Sequence, residues 1–204
     1  MSEYYHNLVT KKSFEILKQL QRTHNFILIG GWAVFVWTKS LKSKDIDIVL
    51  DYLELEKFKG QYELTKNDRL KKYEAKEGEV DIDIYVNNYS NPGLPAEEIE
   101  KYAVPRAGFR VPRPEVLLML KQVAHEARSG TPKGAKDAID IVSLLADGEI
   151  DFAFYNQLLD IYKKSGLKEK LKALLKSMNQ VPERNLNQHA LSRLRSRVME
   201  QLGL

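Results

Sequence analysis

A short acidic motif occurs twice in this chain of 204 residues, as Asp45-Ile46-Asp47 and again as Asp81-Ile82-Asp83. Apolar residues flank both copies, which is typical of buried β-strands. Side chains alternate between the two faces of a strand, so both aspartates of one copy lie on the same face. Like charges placed side by side repel each other, and folding alone gives no reason to put them there. Because a divalent cation would turn that repulsion into binding energy, the pattern predicts a metal site.

A pair of glycines, Gly30 and Gly31, ends the apolar run of residues 26–29. A strand that runs into glycines and then a helix leaves backbone N–H groups unpaired at the helix start, and without Cβ atoms a phosphate can approach them closely. Most glycine pairs are ordinary turns. Here the first acidic motif begins fourteen residues after Gly31, which leaves room for a short helix and a return loop. We therefore expect the acidic strand to lie beside the strand that ends in glycine.

Nucleotidyl and phosphoryl transfer by two metal ions requires acidic ligands around ions that lie about 3.5–4 Å apart. Mg²⁺ prefers a few carboxylates together with water and phosphate oxygens, and Mn²⁺ is an alternative ion. Asp45 and Asp47 are candidates to hold both ions, and either Asp81 or Asp83 would complete the site. Asp83 is preferred because it lies deeper in its strand. The competing interpretation, an acidic edge strand that deters aggregation, accounts poorly for two motifs beside a glycine turn.

Composition limits the class of protein and its compartment. The absence of cysteine excludes disulfides and thiolate-bound zinc and suits a reducing compartment. The first residues lack the pattern of a secretory signal, and the longest apolar run, residues 26–37, is far shorter than the roughly 20 residues that span a bilayer. We expect a cytoplasmic protein with no membrane segment. Residues 151–204 carry ten Lys or Arg and five Asp or Glu, which indicates either solvated helices or a surface for a polyanion such as RNA.

Hydrophobic periodicity predicts an α/β (α+β) chain, with a small mixed sheet flanked by helices and then a C-terminal helical bundle. We place the boundary after residue 111, which gives a first domain of residues 1–111 and a second domain of residues 112–204. Strands are predicted at residues 26–29, 45–50, 69–76, 80–86 and 108–111. Helices are predicted at residues 4–23, 32–38, 53–64, 114–128, 135–146, 151–164, 167–178 and 184–202.

The glycine pair, the spacer, the Asp-x-Asp strand and the later acidic strand together resemble the nucleotidyltransferase superfamily with the DNA polymerase beta-type fold. Two later segments narrow the resemblance to the abortive-infection (type IV toxin) branch. Residues 121–128 are similar to its Lys-x-x-Ala-x-x-x-Arg motif, and residues 136–141 are similar to its Lys-Asp-x-x-Asp motif. The resemblance covers residues 26–145. It departs at Leu41, where the family has arginine, whereas Ser43 matches the family's Ser or Thr.

The resemblance implies Mg²⁺-dependent transfer of a nucleoside monophosphate from a nucleoside triphosphate to an acceptor hydroxyl, with release of pyrophosphate. It implies that Asp45, Asp47 and Asp83 bind metal and act in catalysis, with Lys121 offsetting charge in the transition state. The residues that it assigns to the nucleotide are Gly30, Gly31, Ser43, Lys121, Lys136 and Asp137. The implied acceptor is RNA, especially tRNA, or a protein target in a toxin–antitoxin pair, which would bring an antitoxin partner. A small-molecule (antibiotic) nucleotidyltransferase and a catalytically silent nucleotide-binding or partner-binding module are the alternatives.

Physical reasoning leaves the roles of the two later motifs open. On a helix, Lys121 lies among apolar neighbours, so its ammonium group must reach either solvent or an anion such as a triphosphate. Lys136 and Asp140 are four residues apart, so an ordinary salt bridge explains them equally well. The same holds for Lys133 and Asp137. These motifs therefore support the function through resemblance rather than through chemistry.

Overall fold

A computed structural model describes residues 2–147 and 149–203 of the chain. The chain divides into two compact units, Met1–Arg113 and Pro114–Leu204. The first unit contains the sheet, and the described part of the second unit consists of helices and the loops between them. Within the part of the chain that the structure describes, no helix has the length and apolar character needed to cross a membrane.

The first unit consists of a mixed sheet, a separate hairpin and the helices around them. Its helices are α1 (Ser2–Thr23), α2 (Gly30–Thr38), α3 (Tyr52–Lys59) and α4 (Ala96–Glu100). Its strands are β1 (Ile27–Ile29), β2 (Ile46–Leu50), β3 (Thr65–Asn67), β4 (Lys72–Glu77), β5 (Val80–Val86), β6 (Ala103–Arg106) and β7 (Phe109–Pro112). The sheet has the strand order β1-β2-β5-β4-β3, and β6 pairs with β7. Strands β2 and β5 run parallel and the other pairs are antiparallel, which confirms the predicted mixed sheet.

Alternation along β2 and β5 separates an apolar face of the sheet from an acidic one. Ile46, Ile48, Ile82 and Ile84 are completely buried, whereas the aspartates between them are only half-buried. Burial of an aliphatic side chain of this size contributes about 1.5–3 kcal/mol. The isoleucines therefore hold the two strands in register and leave the acidic face available for chemistry.

The second unit is the predicted helical bundle. Its helices are α5 (Pro114–Ala127), α6 (Pro132–Ala146), α7 (Phe152–Ile161), α8 (Leu167–Ser177) and α9 (Gln188–Leu202), with a short 3₁₀ helix at Pro182–Arg184. Side chains of Thr131, Asp151 and Asn187 each accept a hydrogen bond from a backbone N–H in the first turn of α6, α7 and α9, which caps those helices. Helix α5 packs against α6, α7 and α8, and α9 packs against α6, α7 and α8, so the five helices enclose one apolar core.

Three elements of the first unit were not predicted from the sequence. Strand β3, helix α4 and strand β6 contain only three to five residues each. Strand β3 and helix α4 are mostly polar and strand β6 contains a proline, so none shows the aliphatic run that marked the equally short β1. Of the longer segments, α3 was predicted to continue to residue 64 but ends at Lys59, where Gly60 follows.

Candidate active site

Three acidic side chains form one row across the sheet. In the parallel register of β2 and β5, Asp47 lies directly opposite Asp83, and in the antiparallel register of β5 and β4, Asp83 lies opposite Glu74. Residues directly opposite each other in a sheet project from the same face. On the other side of Asp47 the row ends at Ile29, the last residue of β1. The row therefore leads directly to the glycine pair, as expected from the sequence.

The two remaining aspartates of the acidic motifs differ in their surroundings. Asp45 is half-buried just before β2 begins, and its negative charge is one of the influences that raise the pKa of Asp83. Asp81 instead pairs with Lys76 at 3.2 Å, and both of these side chains are at least half exposed. The register thus supports the choice of Asp83 over Asp81 as the third carboxylate of the site.

A lysine that the sequence analysis did not single out lies within this row. The ammonium group of Lys72 is 2.7 Å from Asp83 Oδ2 and 3.0 Å from Glu74 Oε1, and Lys72 is buried with 8% of its surface exposed. Lys72 belongs to a strand of alternating charged and apolar residues, so no local pattern distinguishes it from an ordinary surface lysine. Only the pairing of β4 with β5 places it beside the acidic motif.

Burial and neighbouring charges act in opposite directions on this cluster. Burial raises the pKa of the Asp83 carboxyl group above its ordinary value; Lys72 opposes this rise, and Glu74 and Asp45 reinforce it. Burial acts to lower the pKa of Lys72, but its ion pairs with Asp83 and Glu74 outweigh burial and raise that pKa. The hydrogen bond from Lys72 lowers the pKa of Glu74. The pairing thus keeps Lys72 in its charged form beside two carboxyl groups.

Gly30 permits the close approach of Asp47 to the start of α2. Gly30 and Gly31 are the first two residues of that helix, and Gly30 has a φ of +65°. A Cβ atom at Gly30 would lie 2.0 Å from Asp47 Oδ2 and 2.8 Å from Asp47 Cβ, which is far inside van der Waals contact. The glycine is therefore required for the position of a candidate metal ligand, in addition to the phosphate contact expected from the sequence.

Replacing Gly30 by alanine is expected to destabilise the protein by about 2–4 kcal/mol, because the methyl group overlaps Asp47 and the backbone has a left-handed conformation. Gly130→Ala is the matched control, since Gly130 has a φ of +76° but no atom within 4 Å of an added Cβ. This control should cost only about 1–2 kcal/mol. Urea unfolding followed by far-UV circular dichroism measures both. Equal losses would show that contact with Asp47 contributes nothing.

The carboxylates fit a metal that arrives with its nucleotide better than a metal held by protein alone. Among residues 2–147 and 149–203, no three acidic or histidine side chains are grouped closely enough to hold a metal ion by themselves. Mg²⁺ does not need such a group, because it is commonly bound through one or two carboxylates together with water and substrate phosphates. Asp47 and Asp83, which face each other in the register of β2 and β5, offer hard oxygen donors of this kind, and the three-carboxylate site that includes Asp45 stays a prediction.

The predicted nucleotide-binding residues of the second unit form a buried ion cluster of their own. Lys121 of α5 has its ammonium group 2.9 Å from Asp137 Oδ1 and 2.7 Å from Asp140 Oδ2 of α6, and only 8% of its surface is exposed. Arg128 Nη1 lies 3.4 Å from Asp137 Oδ2. Burial acts to lower the pKa of Lys121, but the charges of Asp140 and Asp137 outweigh it and raise that pKa. These contacts give Lys121 a structural role, and its contact with nucleotide stays a prediction.

The remaining two predicted nucleotide-binding residues occupy different units. Ser43 is 3% exposed and lies in the loop between α2 and β2, two residues before Asp45. Lys136 is half-buried on α6, one residue before Asp137. Within the first unit, the fold therefore brings Gly30, Asp47 and Asp83 together.

Solved structures provide the comparison for this fold. A protein assigned as a nucleotidyltransferase from H. pylori is 15% identical and has a TM-score of 0.54, and the match covers 100% of this chain and 98% of that protein. JHP933 from Helicobacter pylori is 16% identical with a TM-score of 0.51, and the match covers 100% of this chain and 95% of that protein. Polyadenylate synthase of Megavirus is 14% identical with a TM-score of 0.45; the match covers 70% of this chain and 31% of that enzyme. No family model matches the sequence, and no curated protein matches it either.

The chain has the fold of the nucleotidyltransferase superfamily. The predicted fold class and the resemblance to this superfamily are thereby confirmed. The two full-length matches do not distinguish the abortive-infection branch, which stays a prediction.

Proposed function

We propose that this protein is a Mg²⁺-dependent nucleotidyltransferase that moves a nucleoside monophosphate from a nucleoside triphosphate to an acceptor hydroxyl. The observation that carries this proposal is the pairing of Asp47 with Asp83 in the register of β2 and β5, beside the glycine start of α2. A structural sheet gains nothing from two carboxylates in direct opposition, because like charges across neighbouring strands destabilise it. The nucleotidyltransferase fold supplies the second support.

Each carboxylate has a separate task in the proposed reaction. Asp45 and Asp47 would hold the metal–triphosphate, and the first N–H groups of α2 at Gly30 and Gly31 would bind phosphate oxygens. When bound, Mg²⁺ neutralises charge on the phosphates and on the leaving pyrophosphate. Asp83 accepts the proton of the acceptor hydroxyl, which is a task for a carboxylate within hydrogen-bond reach of that hydroxyl. A new bond forms between the acceptor oxygen and the α-phosphorus, and the bond from that phosphorus to the bridging oxygen breaks, releasing pyrophosphate.

The second unit contributes positive charge in this proposal. Lys121, Lys136 and Asp137 are assigned to the nucleotide by the resemblance, with Lys121 offsetting charge as pyrophosphate leaves. In the structure the ammonium group of Lys121 is paired with Asp137 and Asp140, so this role of Lys121 rests on the resemblance alone.

We propose RNA, especially tRNA, as the acceptor, with a protein target of a toxin–antitoxin pair or a small-molecule antibiotic as the other acceptors. The excess of lysine and arginine in residues 151–204 supports RNA. Binding of RNA through phosphates weakens steeply as salt rises, whereas binding of a neutral target does not. A filter-binding series between about 50 and 200 mM salt therefore tests this choice.

A catalytically silent nucleotide-binding or partner-binding module is the second candidate function. Two observations favour it: Leu41 stands where the family has arginine, and the ammonium group of Lys72 already contacts Asp83. A silent module would bind nucleotide without transferring it. Labelled α-phosphate that never reaches RNA, protein or a small molecule would identify this case.

Isothermal calorimetry tests the proposed function at its first step. Each nucleoside triphosphate, as a non-hydrolysable analogue, is titrated into the protein with and without Mg²⁺. We expect at least one to bind only when Mg²⁺ is present, because the carboxylates repel an unscreened triphosphate. The Asp45→Ala/Asp47→Ala variant should lose that binding, whereas Asp81→Ala, which removes the same type of charge from an exposed pair, should retain it. Absence of binding in every titration would refute the proposal.

A further inference from the structure

Lys72 is the feature of the acidic row that the proposed function does not use. It begins β4, and its ammonium group lies between the carboxylates of Asp83 and Glu74, at 2.7 and 3.0 Å. Its side chain is 10% exposed. A buried ammonium group must be paired to stay charged, and each carboxylate that it contacts must be held in place in return. Lys72 thus fixes the carboxylate that the proposal assigns to metal and proton transfer.

We propose that Lys72 is an internal cation that binds Asp83 on the side of Glu74 in the metal-free protein and competes with the metal for that carboxylate. This inference rests on the proposed function, since it needs Asp83 to be a metal ligand. Lys72 is therefore a positioning residue: the strength of its ion pair with Asp83 sets the affinity of the site for metal. A metal ion at Asp83 would weaken the hold of Lys72 on that carboxylate, and Glu74 would remain as a partner of Lys72.

The negative charges of the acidic row give a physical reason for the position of Lys72. Asp47, Asp83 and Glu74 are direct neighbours across three strands, and Asp45 adds further repulsion at Asp83. One lysine neutralises part of this cluster while no metal is present. A divalent ion at Asp83 would then lie within a few ångströms of a like charge, which repels it because solvent screening is incomplete at a buried site.

The same pair of strands contains a matched control. Lys76 lies four residues further along β4 and pairs with Asp81 of β5 at 3.2 Å. Both side chains of this pair are exposed, at 75% and 50%, so the pair is screened by solvent and contributes little. Replacing Lys76 removes the same charge from the same strand without touching Asp83. The difference between the two lysines therefore isolates competition at the metal site from the general effect of net charge.

The experiment measures binding of Mn²⁺ by electron paramagnetic resonance of the free ion, with and without a non-hydrolysable nucleoside triphosphate. The proteins are wild type, Lys72→Gln, Lys72→Arg and Lys76→Gln, each checked for its fold by circular dichroism. We expect Lys72→Gln to bind Mn²⁺ at least about tenfold more tightly than wild type, because a like charge beside the ion is gone. Lys76→Gln should stay within about twofold of wild type, since its exposed charge is screened.

Lys72→Arg keeps the proposal testable if the glutamine variant does not fold. It retains the positive charge, and its guanidinium group binds a carboxylate through two parallel hydrogen bonds, which is stronger than a single ammonium contact. We expect this variant to bind Mn²⁺ about threefold more weakly than wild type. A purely structural lysine would change the stability of the protein but not the order of these affinities.

The outcomes separate the inference from the function on which it rests. If wild type and Lys72→Gln bind Mn²⁺ equally, or if Lys72→Arg binds it more tightly, competition by Lys72 is refuted and the proposed function stands. If none of the proteins binds Mn²⁺ with or without nucleotide, the proposed function fails together with the inference. If only Lys72→Gln binds Mn²⁺, the lysine blocks the site in the natural protein, which supports the inference in its strongest form.

Discussion

Replacing Asp45 or Asp47 by alanine is expected to lower the rate of nucleotidyl transfer by at least about 10³-fold, since catalysis of this kind depends on charges placed around the phosphates. The fold should remain, because both side chains are only half-buried and the apolar face of β2 is unchanged. Without metal, each variant should be slightly more stable than the natural protein, as one member of a repelling group has been removed.

The measurement is transfer of labelled α-phosphate into RNA, protein or small molecules, together with urea unfolding in the absence of metal. The second acidic motif provides an internal comparison. Asp83→Ala should lose activity to a similar degree, whereas Asp81→Ala should keep it, because Asp81 pairs with exposed Lys76 rather than facing Asp47. Near-normal transfer by the Asp45 or Asp47 variant would show that the mechanism is wrong. Loss of activity in Asp81→Ala with retention in Asp83→Ala would exchange the roles of these two residues.

Replacing Lys121 by methionine is expected to destabilise the protein by about 3–5 kcal/mol, which is the usual cost of leaving buried charges without their partner. The loss should be large here because Lys121 pairs with two aspartates at once, and Asp140 is completely buried. The Oδ1 atom of Asp140 is already buried without a hydrogen-bond partner among the described residues. Removal of Lys121 would take away the ammonium group that is in direct contact with this carboxyl group.

Far-UV circular dichroism during urea unfolding measures this loss. Tryptophan fluorescence is less suitable, because both tryptophans belong to the first unit. Lys170→Met is the matched control: its ion pair with Glu126 joins α8 to α5 at 2.6 Å, but the lysine is half exposed. Exposed pairs contribute about 0–1 kcal/mol. A Lys121→Met variant as stable as the control would mean that the cluster does not support the bundle.

Local pattern was sufficient to predict the main elements of the fold. Alternation of isoleucine and aspartate predicted β2 and β5, because a half-buried strand must place apolar residues at every second position. The apolar run into glycine predicted β1 and the helix after it. Strand β3, helix α4 and strand β6 escaped, since β3 and α4 are mostly polar and β6 contains a proline. The order of strands in the sheet also lay outside local pattern, because it depends on which strands pair and not on what each strand contains.

Ion pairs between different elements likewise could not be predicted from local sequence pattern. Sequence spacing offered Asp140 a partner four residues away, in Lys136, and the charge of Lys136 does act on Asp140. The structure adds a contact at 2.7 Å with Lys121, which lies nineteen residues earlier and on another helix. Likewise, Lys72 precedes Asp83 by eleven residues and shares no motif with it, yet it contacts it at 2.7 Å. Contacts between residues close in sequence follow from the periods of helix and strand, but contacts across elements follow from packing.

The sequence by itself determined the chemistry that is available: two pairs of aspartates on strand faces, a glycine pair at the start of a helix, and isoleucines that bury the opposite face. Only the tertiary structure decided how this chemistry is arranged. The register of β2 with β5 places Asp83, rather than Asp81, opposite Asp47, and the register of β5 with β4 brings in Glu74 and Lys72. The physical reason is that a strand specifies which residues share its face, whereas the alignment between strands is set by burial across the whole sheet, where a shift of one residue would expose every isoleucine.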